Sequence, residues 1–139
     1  MIKKTKKSES RGKIAMNELP RISEAEWEVM KILWESAPIT ANEIIGKLAG
    51  HISWQPKTVK TLISRLLKKK AITFEKDDRT YRYYPIISKE DCIREESKSF
   101  LKRVYNGELN VMLTSFLSFR QFSEQDIEEL KQILDRSKK

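Results

Sequence analysis

Residues 56–70 read PKTVKTLISRLLKKK, and their lysines, arginine, threonines and serine are side chains suited to recognising a polyanion. Ammonium and guanidinium groups attract phosphates, while hydroxyl, amine and guanidinium groups can hydrogen-bond to base edges. The chain is poor in the residues that other chemistries need. One histidine, His51, and one cysteine, Cys92, supply neither a Ser/His/Asp nor a Cys/His arrangement, and too few ligands for zinc. No enzyme activity, metal or cofactor is therefore expected. Cys92 alone excludes an intramolecular disulfide and reads as a small buried hydrophobe, and His51 reads as a loop residue.

Charge distribution supports the polyanion reading. The net charge is +8; residues 1–87 hold 18 Lys/Arg against 10 Asp/Glu, and residues 88–139 hold 10 of each. All of the excess lies in the first part, which points to a polyanion-binding half joined to a half with another task. The chain has 139 residues, 35% of them charged, with four Gly and four Pro, the composition of a helix-rich globular protein. No apolar run reaches the roughly 18 residues of a membrane span, and no hydrophobic segment follows the basic N-terminus as in a signal peptide, so a cytoplasmic location is expected.

Side chains on 56–70 can act together only if the surrounding elements fix their direction. Residues 1–13, MIKKTKKSESRGK, carry six basic residues against one Glu without periodicity, and residues 1–19 read as a basic, disordered arm. Ser23-Glu24-Ala25-Glu26 has the form of a capping box and opens a helix to about residue 37, with Trp27, Met30, Leu33 and Trp34 on one face. Pro38 ends it. Thr40-Ala41-Asn42-Glu43 is a second box, opening a helix to about Ala49 with Ile44, Ile45 and Leu48 inward. Pro56 suits the first turn of a third helix, about 56–70, whose apolar stripe is Val59, Leu62, Ile63, Leu66 and Leu67. Residues 71–75 and 80–84 are β-forming segments around a turn-like Lys76-Asp77-Asp78-Arg79, which predicts a hairpin. Ser88 then caps a helix to about Tyr105 expected to bury Ile93, Phe100, Leu101, Val104 and Cys92; Asn106-Gly107 stops it. Helices of about 108–119 and from Ser123 onward complete the chain.

Three short helices, the third basic and amphipathic, followed by a β-hairpin, are the arrangement of a winged helix-turn-helix. The fold class expected is mainly α with a small β-hairpin: a DNA-binding domain over 20–87, then a three-helix dimerisation region over 88–139. The outward face of the third helix assigns base contacts to Thr58, Lys60, Thr61 and Arg65, since N-terminal and central positions of a recognition helix approach the groove floor. Lys57, Ser64, Lys68, Lys69 and Lys70 fall nearer phosphates, as do Lys76 and Arg79 at the hairpin tip, offset there by Asp77 and Asp78. Tyr81, Tyr83 and Tyr84 suit packing across the hairpin better than stacking on bases, although stacking leaves a second reading open: a non-specific architectural or single-strand nucleic-acid-binding protein.

The C-terminal helices are neutral overall and amphipathic. They hold too few residues for a large core, so a second copy of the chain is expected to cover Phe100, Leu101, Val104, Met112, Leu113, Phe116, Leu117, Ile127, Leu130 and Leu134. Such a homodimer presents two recognition helices about one turn of DNA apart, ~34 Å, matching a palindromic operator in double-stranded DNA.

Several segments in order resemble the penicillinase repressor and methicillin-resistance regulator family. They are SEAEWEVM (23–30), ILW (32–34), TANEI (40–44), PKTVKTLISRL (56–66), YRYYP (81–85) and SFLKRVYNG (99–107). The resemblance covers about residues 20–135. It implies a dimeric winged-helix repressor that covers an operator until a membrane sensor metalloprotease, or a protease it activates, responds to a β-lactam and the repressor is cut. In that family the cut falls at an Asn-Phe pair in the C-terminal region, where this chain has Ser115-Phe116. A copper-responsive branch of the family carries a C-terminal cysteine motif, which a chain with Cys92 as its only thiol lacks.

Overall fold

A computed structural model describes residues 19–138, so nearly all of the basic arm lies outside the described residues. Among these the order is α1 (Glu24–Ser36), α2 (Ala41–Leu48), α3 (Pro56–Lys68), β1 (Ile72–Asp77), β2 (Thr80–Pro85), α4 (Lys89–Tyr105), α5 (Leu109–Ser118) and α6 (Glu124–Ser137). The architecture is mainly helical with one two-stranded antiparallel hairpin, the winged-helix arrangement.

Helix starts follow the local chemistry of the sequence. Ser23 Oγ accepts the Glu26 N–H at 3.1 Å while the Glu26 carboxylate accepts the Ser23 N–H at 2.9 Å, and Thr40 with Glu43 repeats this pairing at the start of α2. Ser123 and Asp126 form a third reciprocal box at α6, and Ser88 Oγ accepts the Asp91 N–H at α4. Each satisfies backbone donors that the first helical turn cannot.

The described residues divide into two compact units, one up to Glu95 and one from Glu96 onward. In the first, α1 contributes Val29, Met30 and Leu33 to the core, α2 contributes Ile44 and Leu48, and α3 contributes Val59, Leu62, Ile63 and Leu66. Each large apolar side chain so buried contributes about 1.5–3 kcal/mol. The expected boundary after 87 follows charge and the Ser88 cap, but packing continues into α4, where Cys92 is buried with this core. Leu19, assigned by sequence to the arm, also packs against it.

Strand β1 runs two residues further toward the hairpin tip than the sequence suggests. Lys76 pairs with Tyr81 and Asp77 with Thr80, leaving Asp78-Arg79 as a two-residue turn with Asp78 at φ 65°, a conformation Asp tolerates. Ile39 pairs with Tyr83 through reciprocal backbone bonds of 3.1 and 2.8 Å, so β2 is held on both edges. The Trp34 indole N–H donates to the Ile87 carbonyl at 3.0 Å, tying α1 to the chain leaving the hairpin, and meets Trp27 edge-on at 5.5 Å.

The second unit contains the rest of α4 with α5 and α6. Phe100, Tyr105 and Phe116 form a triangle of rings 5.7–6.4 Å apart, and Phe119 meets Phe116 at 5.6 Å. No residue of 96–138 is fully buried. Two expectations are corrected: Ile93 and Val104 of α4 are exposed rather than buried. Leu109, Leu113, Leu117, Ile127, Leu130, Ile133 and Leu134 are exposed as well, because helices this few and short cannot enclose one another's apolar faces within one chain.

Candidate nucleic-acid interface

Helix α3 is sharply two-sided. Val59, Leu62, Ile63 and Leu66 are buried, while Lys57, Thr58, Lys60, Thr61, Ser64, Arg65 and Lys68 are exposed. All four residues assigned to bases by sequence therefore share the outer surface with three assigned to phosphates. Thr61 Oγ donates to the Lys57 carbonyl at 3.0 Å, so its hydroxyl proton is engaged within the helix and the exposed side chain is left with its oxygen as an acceptor. No acidic residue occupies the first turn, and Gln55 at the cap makes no side-chain bond to the turn's N–H groups. The positive end of the helix is thus left unneutralised, in contrast to α1 and α2 with Glu26 and Glu43.

Lys69, expected near phosphates, parts from the other lysines of this stretch. Its ammonium does not join the outer face but bonds to the Glu26 carboxylate and, at 2.7 Å, to the Arg21 carbonyl. Glu26 is only 1% exposed. Burial raises its carboxyl pKa, but the hydrogen bonds from Lys69 and from the Ser23 N–H, with the Lys69 charge, outweigh this and hold it below its ordinary value.

The backbone explains why three successive lysines part ways. Lys69 is the C-cap of α3 with helical angles, and Lys70 follows at φ 64°. The Lys70 N–H bonds to the Leu67 carbonyl and the Ala71 N–H to the Leu66 carbonyl, both at 3.0 Å, a Schellman closure that uses lysine where glycine is usual. Lys68 and Lys70 are exposed and Lys69 is turned inward. A signal for this was present: Lys69 falls three residues after Leu66 and seven after Leu62, on the apolar stripe. Glu26, whose capping role was legible, is the other residue whose role sequence reasoning missed.

On the hairpin, Lys76 and Arg79 are exposed, with Asp77 and Asp78 exposed beside them. Phe74 stacks on Tyr81 at 4.7 Å with planes 5° apart and meets Tyr83 edge-on at 6.0 Å, while Lys76 Nζ lies 5.7 Å from the Tyr81 ring centre. Tyr84 is buried, and burial, with Tyr81 nearby, raises the Tyr83 hydroxyl pKa. The rings pack on one another across the strands, the arrangement that sequence favoured over stacking on bases.

Trp54 is half-buried against the core, and His51 is exposed in its loop. Burial, with the Asp91 charge adding to it, pushes the Cys92 thiol up to about 11. Among the described residues no three His, Cys, Asp or Glu side chains gather as a metal site, and no helix is long and apolar enough to cross a membrane.

Comparison with known proteins gives a consistent result. A family model described as penicillinase repressor matches residues 22–136. The penicillinase repressor of Bacillus licheniformis is 45% identical over 123 residues, 88% of this chain and 96% of its own. The methicillin resistance regulatory protein MecI of Staphylococcus aureus strain N315 is 39% identical over 120 residues, 86% and 98% of the respective chains. A solution structure of the B. licheniformis BlaI monomeric form in complex with the blaP half-operator is 42% identical, covering 52% of this chain and 89% of that one, with a TM-score of 0.48.

Proposed function

Because this chain belongs to the penicillinase repressor family, we propose that it is a dimeric, sequence-specific DNA-binding repressor of β-lactam-resistance-type genes that works in the cytoplasm on a palindromic operator. The observation that carries this reading is the one-sidedness of α3: a fully apolar inner stripe and an outer face made of Lys, Arg, Thr and Ser. In the major groove, Thr58, Lys60, Thr61 and Arg65 contact base edges. Arg65 suits guanine O6 and N7, and the Thr61 hydroxyl oxygen, as an acceptor, suits an amino group on adenine or cytosine. Lys57, Ser64, Lys68 and Lys70 contact phosphates beside the groove, and Lys76 and Arg79 contact them from the wing.

The second unit supplies the pairing. Its uncovered leucines and isoleucines on α5 and α6 form apolar surface that a soluble monomer rarely leaves open, and a second copy covers it. Two recognition helices then meet half-sites about one DNA turn apart, ~34 Å. Relief of repression comes by proteolysis at Ser115-Phe116, triggered by a membrane sensor metalloprotease. Both residues are half-buried and lie within α5, and Phe116 is held among Phe100, Tyr105 and Phe119, so the helix opens locally before an extended segment can enter a protease.

The test is an electrophoretic shift of the full chain on the promoter DNA upstream of its own gene against a scrambled duplex of equal composition, repeated from 50 to 200 mM salt. A clear preference for the promoter is expected, with affinity falling by about 10³–10⁵ over that range if ~6–10 phosphates are neutralised. Equal affinity for both duplexes, or a flat salt profile, would remove this reading.

A further inference from the structure

We infer that Lys69 and Glu26 form a positioning pair that fixes the end of the recognition helix against the entry of α1, and that Lys69 adds nothing to phosphate binding; the inference rests on the DNA-binding reading of α3.

Its basis is the contrast between three adjacent lysines. Lys68 and Lys70 are exposed, whereas the Lys69 side chain is 33% exposed and its ammonium is already bonded to the Glu26 carboxylate and the Arg21 carbonyl. To reach a phosphate it would have to abandon both, leaving a carboxylate that is 1% exposed with only the Ser23 N–H. A phosphate gains little from an ammonium whose charge is neutralised on its other side.

Position in the fold gives the pair its purpose. The two ends it joins are far apart in sequence: the cap of α3, and the residues that begin α1. Arg65 lies one turn before Lys69 on α3, and the Lys69 N–H bonds directly to the Arg65 carbonyl. Apolar packing of Leu62 and Leu66 presses α3 onto the core but is non-directional along the helix axis. A charged bond with fixed partners supplies the directional constraint, setting the level at which Thr61 and Arg65 meet bases.

The experiment compares Lys69→Met, Glu26→Gln and Lys68→Met in the full chain, with the promoter duplex and the scrambled duplex as probes over a salt series. Tryptophan fluorescence melts confirm that each variant is folded at the assay temperature. Lys68→Met is expected to weaken both duplexes and to reduce the slope of log K against log salt by about 0.9. Lys69→Met and Glu26→Gln are expected to lower preference for the promoter by about 2- to 30-fold while keeping the wild-type slope. Lys69→Arg, which keeps the charge and reaches the same carboxylate, is expected to restore most of the preference.

Glu26→Gln is the decisive variant, because it removes no positive charge and frees the Lys69 ammonium. If Lys69 binds phosphate, Glu26→Gln binds both duplexes as tightly as wild type or tighter, and Lys69→Met reduces the slope as Lys68→Met does; either result overturns the proposal. Unchanged promoter preference in both Lys69→Met and Glu26→Gln overturns it as well. Wild-type protein with no promoter preference and a flat salt profile removes the DNA-binding reading itself, a result distinguishable from both.

Discussion

Replacing Glu26 by Gln should destabilise the N-terminal unit by about 1–2 kcal/mol at neutral pH, and by much less in acid. The amide keeps an oxygen for the Ser23 N–H, so the change isolates the charged contact from the capping contact. A hydrogen bond to a charged group contributes about 1.5–3 kcal/mol. Lys69 is a third exposed and can turn to water when its partner is lost, so solvent screening brings the expected figure toward or below the lower end of that range. The sign with pH follows from the lowered pKa of Glu26. A carboxyl more acidic in the folded chain than in the unfolded one adds stability that is fully present above the ordinary carboxylate range, and that is lost as pH falls through its own depressed value. Wild type and variant should therefore differ most at about pH 7, and the gap should shrink in acid, as pH drops below the ordinary carboxylate range toward the depressed value of Glu26. Trp27, Trp34 and Trp54 all lie in the first unit, so urea unfolding followed by tryptophan fluorescence reads that unit alone in the full chain. A gap that does not shrink in acid, or no gap at neutral pH, would refute the assignment of Glu26 as an ionised partner of Lys69.

Arg65→Ala should cost about 1–3 kcal/mol on the promoter and relax base preference at one position, whereas Lys68→Ala should weaken all sequences alike; binding-site selection on randomised duplexes reads the difference, and a uniform loss from Arg65→Ala would reassign that residue to phosphate. Leu117→Glu on the uncovered face of α5 should convert the proposed dimer to monomer in sedimentation velocity, because a carboxylate would enter an apolar interface unpaired; a dimer of unchanged affinity would put the interface elsewhere. Cys92 should resist alkylation in the native chain at about pH 8 and react fully in urea, since its thiol is buried and its pKa is raised to about 11; rapid native labelling would contradict its burial in the core.

Local chemistry made much of this protein legible. Capping boxes at Ser23 and Thr40, Pro56 at the first turn of α3, and the alternation of helical stripes with a short β-forming pair act over three or four residues, and the elements formed where those signals stand. The outer face of α3 was readable for the same reason: once Val59, Leu62, Ile63 and Leu66 turn inward, the directions of Thr58, Lys60, Thr61 and Arg65 follow from 3.6 residues per turn. Spacing put Lys69 in line with Leu62 and Leu66, but could not say what an ammonium on that stripe would meet. Its direction depends on an anion 43 positions away in the chain, and on a left-handed residue at Lys70 that ends the helix where lysines give no stop signal. Nor could the pattern on α4, α5 and α6 distinguish a face covered within the chain from one left open. Periodicity reports that a face is apolar, and only the folded arrangement decides what covers it. Ile93, Val104 and the leucines of α5 are exposed because too few helices surround them, a count that the tertiary structure settles and local spacing does not.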